Sequence, residues 1–587
     1  MRPSEQELAT PMMGDQKNLV LAIVLSVGII LIFQYFYEIP RLREQQARQA
    51  ELARQAETAA PGATLPGAPA ALTPALPGAA PSGTASEAGA AGPRLRLDNG
   101  RLHGSIALTG ARIDDVTLAD YHEKPDKSSP EIRILSPVGT THPYFAEWGW
   151  IAATPGVVVP DSRTLWQAET DRIGLDRPAR LRFDNGQGLV FGKVIEVDGD
   201  FLLSVRRTVR NDGREPVTLY PYGLISRWDT PPTLGFYILH EGPIGVLDGT
   251  LQEIDYDDLK GGRPQEFEST GGWLGITDKY WLAALVPQQD RKITATFRHV
   301  PVDGRDRYQV DFRSEPIVVE PGRTVEVVDK FFVGAKEVDK LDRYSELYGI
   351  PLFDRAVDFG WFYFLTKPIF HILHFFYKWT GNYGVAILLL TLLVKIAFYP
   401  LSDKSYRAMS HMKKLQPEMM RLRELYADDK VKLNQELMAL YQREKVNPMA
   451  GCLPIIVQIP VFFALYKVLF VNIEMRHAPF FGWIKDLSAP DPTSIFNLFG
   501  LLPFDTPAFL TIGVWPILMG GTMWLQQKLN PQPTDPVQAK VMNLLPIFFT
   551  FLFATFPAGL VIYWTWNNLL SIAQQWLIMK RMGVSPG

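Results

Sequence analysis

Apolar residues gather in long runs near the start of the chain and over its last two hundred residues, with short alternating runs between. Residues 19–33 read LVLAIVLSVGIILIF, and residues 35–37 lengthen the run to what a bilayer-spanning helix needs. The run is long for a cleaved signal and no small-residue cleavage site follows, so it is expected to remain as an anchor. From residue 94 the texture changes. In FLLSVRRTVRND, Leu203, Val205 and Val209 share one face and Ser204, Arg206, Thr208 and Arg210 the other, with Arg207 alone breaking the apolar side. Turn signals recur at residues 98–100, 184–186 and 211–213. Short strands at such intervals, without long helices between them, predict an all-β sandwich. Further apolar runs of spanning length cover residues 382–400, 452–471, 509–525, 541–556 and 559–579.

The fold class that follows is a multi-domain membrane protein: an α-helical core of six transmembrane helices plus a large all-β sandwich outside the membrane. Residues 1–18 form a cytoplasmic N-terminus and residues 19–37 the anchor. Residues 38–93 are a charged helix followed by a tether of Ala, Pro, Gly, Ser and Thr that cannot bury a core. Residues 94–335 are the sandwich. Residues 336–380 give a short helix and an interfacial amphipathic helix. Residues 381–582 carry five spans and, at 402–448, a helical hairpin broken around Ala427, Asp428 and Asp429. Charge sets the orientation. The hairpin holds ten Lys and Arg, whereas residues 472–508 hold only Arg476 and Lys485, so the hairpin is cytoplasmic and the sandwich is outside. One crossing then separates them, and residues 353–379, rich in aromatics but interrupted by Asp358, Lys367 and His374, lie on the membrane surface. Lys580 and Arg581 after the last run agree, which leaves both termini cytoplasmic.

Composition narrows the chemistry. With 59 basic and 62 acidic residues there is no global attraction to DNA. The single cysteine, Cys452, excludes intrachain disulfides and a cysteine-based metal site. His371 and His374 stand three apart without a third ligand nearby, so no metal is expected. No phosphate-binding loop and no HExxH occurs, and no carboxylate lies in the core of a later span. The chain is therefore expected to need no cofactor and to be no enzyme. Trp148, Trp150, Trp228, Trp273 and Trp281 read as core of the sandwich, which is expected to serve as a binding or scaffold module.

Three runs carry polar groups at similar depth. Thr391 and Lys395, four apart, share a helical face in the first. Gln458 lies in the second. In the last, Asn567, Ser571 and Gln574 or Gln575 recur, and the four-residue spacing of Asn567, Ser571 and Gln575 makes a stripe, with Tyr563 and Trp564 a turn further out. One such amide would only join helices, contributing about 0.6–2 kcal/mol. Several together with an ammonium predict a hydrated cavity, because water lowers the cost of the charge. A solute transporter or channel is the alternative reading, and a structural assembly scaffold a third.

The motifs GNYG, YPLSDKSYRAMSHMKKLQPEM, NPMAGCLPIIVQIPVFFALY, DLSAPDP and FPAGLVIYW, in this order after an anchor, tether and β domain, resemble the YidC/Oxa/Albino insertase family in its Gram-negative form. The resemblance covers residues 353–582 most specifically and the β domain more loosely. It implies an inner-membrane insertase with a positively charged groove, open to cytoplasm and lipid and closed outside. The implied partners are nascent membrane proteins, the Sec translocon, the ribosome and the lipid bilayer. The basic residue at the groove's centre is usually Arg in the family, and Lys395 occupies the matching position. Thr391, Gln458, Tyr563 and Trp564 match groove or client-contact positions.

Overall fold

The computed structural model describes residues 92–233, 239–360, 362–444, 446, 453–498, 502, 511–530 and 536–583. The expected anchor at 19–37 and nearly all of the tether lie outside these residues, as do Lys445 and Cys452.

Strands run from Arg94 to Ala335 and form two sheets, of eleven and nine strands. The strand Leu202–Asn211 pairs antiparallel with Thr324–Ala335 on one side and Leu189–Val197 on the other. Leu203, Val205 and Val209 are buried and Arg210 is exposed. A slip of one residue would turn Arg206 and Thr208 inward, so this alternation fixes the register. Phe191, Phe297, Phe312, Phe331 and Trp273 are fully buried in the sandwich core. Trp148 and Trp150 are buried as expected, whereas Trp228 and Trp281 are half-buried.

Arg207, the residue that breaks the apolar side, is also inside, at 0% exposure. It pairs with Asp329 on the neighbouring strand and donates to the carbonyls of Gly149 at 2.6 Å and Tyr222 at 2.7 Å. Gly149 and Tyr222 belong to the other sheet, so this guanidinium joins the two layers. Its two terminal nitrogens are met by a carboxylate and two carbonyls, which offsets most of the cost of burying the charge, while the Nε–H has no partner among the described residues.

After the sandwich come α1 (Val338–Tyr348), α2 (Tyr363–Thr380), α3 (Tyr383–Ala397), α4 (Tyr399–Leu425), α5 (Lys430–Arg443), α6 (Leu453–Val471), α7 (Val514–Leu529), α8 (Pro536–Phe553) and α9 (Ala558–Arg581). Residues 353–379 are not one surface helix. Phe353–Ala356 is a 3-10 turn whose Phe353 packs edge-on against Trp273 at 5.3 Å, so this part belongs to the sandwich. The amphipathic element is α2 alone. It buries Thr366, Ile369, Phe370 and Leu373 and exposes Phe364, Phe375 and Trp379.

The run at 382–400 also departs from expectation. Its helix, α3, ends at Ala397, and α4 leaves at a bend of 69°. Pro400 explains the break: it has no N–H to continue the ladder but fits the first turn of a new helix. Among the described residues no single helix is long and apolar enough to cross a membrane alone, while α3 and α4 together pass as a bent pair. The hairpin of α4 and α5 therefore starts at Tyr399, three residues earlier than its charge pattern suggests. Asp429 caps α5 through the Lys432 N–H at 3.0 Å, and Arg443 pairs with Glu418 at 2.7 Å across the hairpin.

The sandwich is joined to the helices at one end. Asp358 pairs with Lys467 of α6 at 2.8 Å, and Arg476 donates to the His122 carbonyl at 2.7 Å. The Lys279 ammonium lies 3.8 Å from the centroid of the Phe470 ring.

Arg207→Ala would leave Asp329 buried without its partner. It is expected to destabilise the sandwich by about 3–5 kcal/mol, with Arg207→Met/Asp329→Leu recovering much of the loss. Urea unfolding of the intact protein followed by tryptophan fluorescence measures this. A loss below ~1 kcal/mol for Arg207→Ala would show that the pair does not hold the sheets together.

Candidate functional site

α3 is apolar except for Thr391 and Lys395 from Val385 to its end, and it buries Ala386, Ile387, Leu390 and Thr391 while exposing Leu392, Leu393 and Ile396. Lys395, in its last turn, is half-buried and points at α9. Its ammonium donates to the Ser571 hydroxyl at 2.8 Å. That hydroxyl donates in turn to the Asn567 carbonyl at 2.8 Å, and the Tyr406 side chain of α4 reaches it as well. Gln458 of α6 donates to the Tyr563 hydroxyl of α9 at 3.1 Å. Tyr563 and Ser571 are eight residues apart, about 12 Å along the helix. Trp564 packs edge-on against Phe462 at 4.7 Å and lies 5.0 Å from Phe553. The structure thus brings Lys395 and Ser571 together at one level, where Asn567 contributes its main-chain carbonyl, and Gln458, Tyr563 and Trp564 at another. Thr391 is buried and its hydroxyl returns to the Ile387 carbonyl at 2.7 Å, within its own helix.

The stripe on α9 divides. Gln575 donates to Asn530 at the end of α7 at 3.0 Å, and Asn568 donates to Thr522 of α7 at 3.2 Å. Steps of four residues turn about 400°, so Gln575 stands about 80° around the helix from Asn567. That rotation carries the outermost amide to a different neighbour. Asn568, Thr522, Asn530 and Tyr406 are the members that pattern reading passed over. Asn568 adjoins Asn567, and the buried side of a doubled Asn is invisible without the packing partner.

The far end of these helices is covered by the loop that bears DLSAPDP. The Ala558 N–H donates to the Ala489 carbonyl at 2.7 Å and the Gly559 N–H to the Leu487 carbonyl at 2.9 Å. The first turn of α9, whose amides have no partner inside the helix, is thereby satisfied by the loop. Asp491 does the same for α7: it accepts from the Trp515 N–H at 2.9 Å, the Trp483 indole at 3.1 Å and the Thr493 N–H at 3.0 Å. A Cβ at Gly513 would lie 2.4 Å from the Asp491 carboxyl carbon, so that approach requires glycine. Among the described residues no group of three or more His, Cys, Asp or Glu is placed to hold a metal ion.

Two family descriptions match most of the chain beyond residue 93. "YidC periplasmic domain" matches residues 94–372 and "60Kd inner membrane protein" matches residues 375–584. A membrane protein insertase YidC of Methylorubrum extorquens is 50% identical over 594 residues, covering 97% of this chain and 96% of its own. One from Bradyrhizobium diazoefficiens is 48% identical over 605 residues, covering 98% and 97%. The chain belongs to the YidC membrane protein insertase family. Its function is accordingly membrane protein insertion, its clients are nascent membrane proteins, and its sandwich is a periplasmic domain of an inner-membrane protein.

Asp491→Ala is expected to lower the stability of the insertase by about 2 kcal/mol, the sum of a lost helix cap and an orphaned indole N–H. Gly513→Ala should act in the same direction by pushing the carboxylate away. Thermal unfolding in detergent, read at the tryptophans, checks both; an unchanged transition for Asp491→Ala would show that the cap is not holding this end.

Proposed function

We propose that the insertase receives a client's apolar segment, with its short polar tail, in a hydrated groove between α3, α6 and α9 centred on Lys395. The observation that carries this reading is the Lys395–Ser571 hydrogen bond, which holds an ammonium between helices whose outer faces are apolar. Six spans complete the core: the anchor at 19–37 with α3, α6, α7, α8 and α9, both termini being cytoplasmic. The ten bases of residues 402–448 support that orientation.

A polar tail meets less dry hydrocarbon when hydrated side chains stand part-way across. Lys395 draws acidic tail residues transiently, Gln458 and the α9 amides hold water, and Tyr563 and Trp564 offer an apolar surface beside them. Thr391 packs α3 rather than touching the client. Ile396 on α3 and Ile547 and Phe551 on α8 are exposed, so an apolar segment leaving the groove finds lipid-like surface at once. Its burial in the bilayer, at about 25 cal/mol per Å², drives the step without nucleotide or catalysis. The hairpin of α4 and α5 overhangs the cytoplasmic mouth, since α4 begins two residues after the end of the helix that carries Lys395. It is placed to meet the ribosome or an arriving client, alone or beside the Sec translocon.

Lys395→Arg is expected to keep insertion and Lys395→Ala or Lys395→Glu to lose most of it while the protein accumulates normally. Depletion-strain complementation and photocrosslinking from position 564 to a nascent single-span chain read this out. Full complementation by Lys395→Ala would leave Lys395 a snorkelling lysine, and solute flux without inserted client would point to a channel.

Replacing residues 412–445 with a short Gly/Ser linker should remove early client crosslinks and leave the fold intact. Unchanged insertion of several clients would reduce the hairpin to a solvated loop.

A further inference from the structure

Residues 381–384, the GNYG motif, form the corner between α2 and α3, and geometry fixes each of them. Gly381, at φ 68°, ends α2 in the left-handed conformation. Asn382 caps α3 by accepting the Val385 N–H at 3.1 Å. A Cβ on Gly384 would lie 2.0 Å from the Phe480 ring. Tyr383 stacks on Tyr377 at 3.8 Å and donates its hydroxyl to Glu474.

Glu474 lies in the 3-10 turn Ile473–Met475 that follows α6. The same carboxylate oxygen is 2.7 Å from His374 Nδ1 of α2. The other ring nitrogen of His374 is 3.4 Å from Asp339 of α1, which Lys378 also approaches at 3.4 Å. One carboxylate therefore ties the end of α6 to α2 and α3, and through His374 to α1. This cluster stands apart from the polar groups around Lys395, which lies twelve residues further along α3, about 18 Å away.

We propose that Glu474 is a positioning residue for Lys395: it pins the outer end of α3 so that the ammonium at the other end meets Ser571. This rests on the groove reading above. A helix is stiff, so a tilt of about 10° at the corner moves Lys395 by about 3 Å, enough to break a hydrogen bond. Gly381 and Gly384 make the corner compact, but neither holds α3 to the end of α6. Glu474 does, with the Asn472 side chain also reaching Tyr383 and the Asn382 amide donating to the Phe480 carbonyl at 3.4 Å.

The pin is also pH-sensitive, and its sign is fixed. His374 is faced by Glu474, Asp339, Lys378, Tyr383 and Tyr377. The bond to Glu474 raises the imidazole above its ordinary value against the opposing effect of burial. A raised histidine contributes its full stabilisation below about pH 6.5 and loses it as pH rises through the raised value. The pin is thus complete in a mildly acidic medium and weakens toward alkaline pH.

The test uses the full-length protein in proteoliposomes, with the native cysteine removed by Cys452→Ser and spin labels at Leu393→Cys and Leu569→Cys. Both positions are exposed and outside the polar cluster. Glu474→Ala, and Glu474→Gln which keeps the size, are expected to broaden the α3–α9 distance distribution. They should slow insertion of a single-span client by about tenfold, and Glu474→Asp should restore both readouts. Raising the outer medium from about pH 6 to about pH 9 should broaden the unsubstituted distribution, and His374→Gln should abolish that dependence. A narrow distribution with normal insertion in both Glu474→Ala and Glu474→Gln would overturn the proposal. So would slowed insertion at an unchanged distance, or a pH dependence that persists in His374→Gln. Lys395→Ala is measured separately: full insertion there overturns the groove reading, whatever Glu474 does to the distance.

Discussion

An ammonium placed among apolar helices needs an acceptor, and the hydrogen bond from Lys395 to Ser571 supplies it. On insertion scales a lysine at the middle of a span costs about 2.5–3.5 kcal/mol. A hydrogen bond involving a charged group contributes about 1.5–3 kcal/mol, so one good acceptor offsets much of that cost. Position helps further. Lys395 lies in the last turn of α3, where the carbonyl end of the helix favours a cation. α3 has 15 residues, about 22 Å of helix against a hydrocarbon core of about 30 Å. The short helix and its sharp exit into α4 set Lys395 close to the hairpin, within reach of Tyr406 and Ser571. The mutual placement of α3, α4 and α9 follows from that demand.

The opposite end is built on a different principle. There the chain satisfies helix termini with loops and closes charges on one another. Asp491 caps α7, the Leu487 and Ala489 carbonyls cap α9, and Glu474, His374 and Asp339 form a continuous chain of partners. Satisfied polar groups exclude loosely held water and resist movement. The Lys395 end keeps unspent capacity among the described residues: an ammonium has three donors, of which Ser571 takes one.

Period-two alternation revealed the sandwich and long apolar runs the later helices, because burial on one face or on all faces writes itself into the order of residues, although among the described residues no single helix is long and apolar enough to cross a membrane alone. The strand around Arg207 was legible in which residues face the core, Arg207 on the apolar side among them; its partner was not, since Asp329 lies 122 residues away. The surface helix was drawn too long because aromatic density does not distinguish Phe353, packed on Trp273, from Phe364, left exposed. On α9 the pattern located Ser571, Asn567 and Tyr563 but assigned Gln575 to their face, and the 3.6-residue turn rotates it toward α7. The GNYG corner was visible as a motif only. Its reason is a clash with Phe480 and a bond to Glu474, contacts made across about ninety residues of chain.

The resemblance that led to Lys395 carries Arg at this place, and the local geometry explains why lysine is accommodated. A guanidinium is planar and offers its donors in a fixed fork suited to a carboxylate or to two acceptors side by side. Here the acceptor on α9 is a single hydroxyl, already committed to the Asn567 carbonyl and reached by Tyr406. Such a point acceptor suits an ammonium, whose donors rotate on a flexible stem. Arginine would add reach and a second donor pair in a fixed plane, whereas the donors of lysine turn freely about its stem. The charge is the constant between the two, and the acceptor arrangement on α9 decides which side chain presents it better.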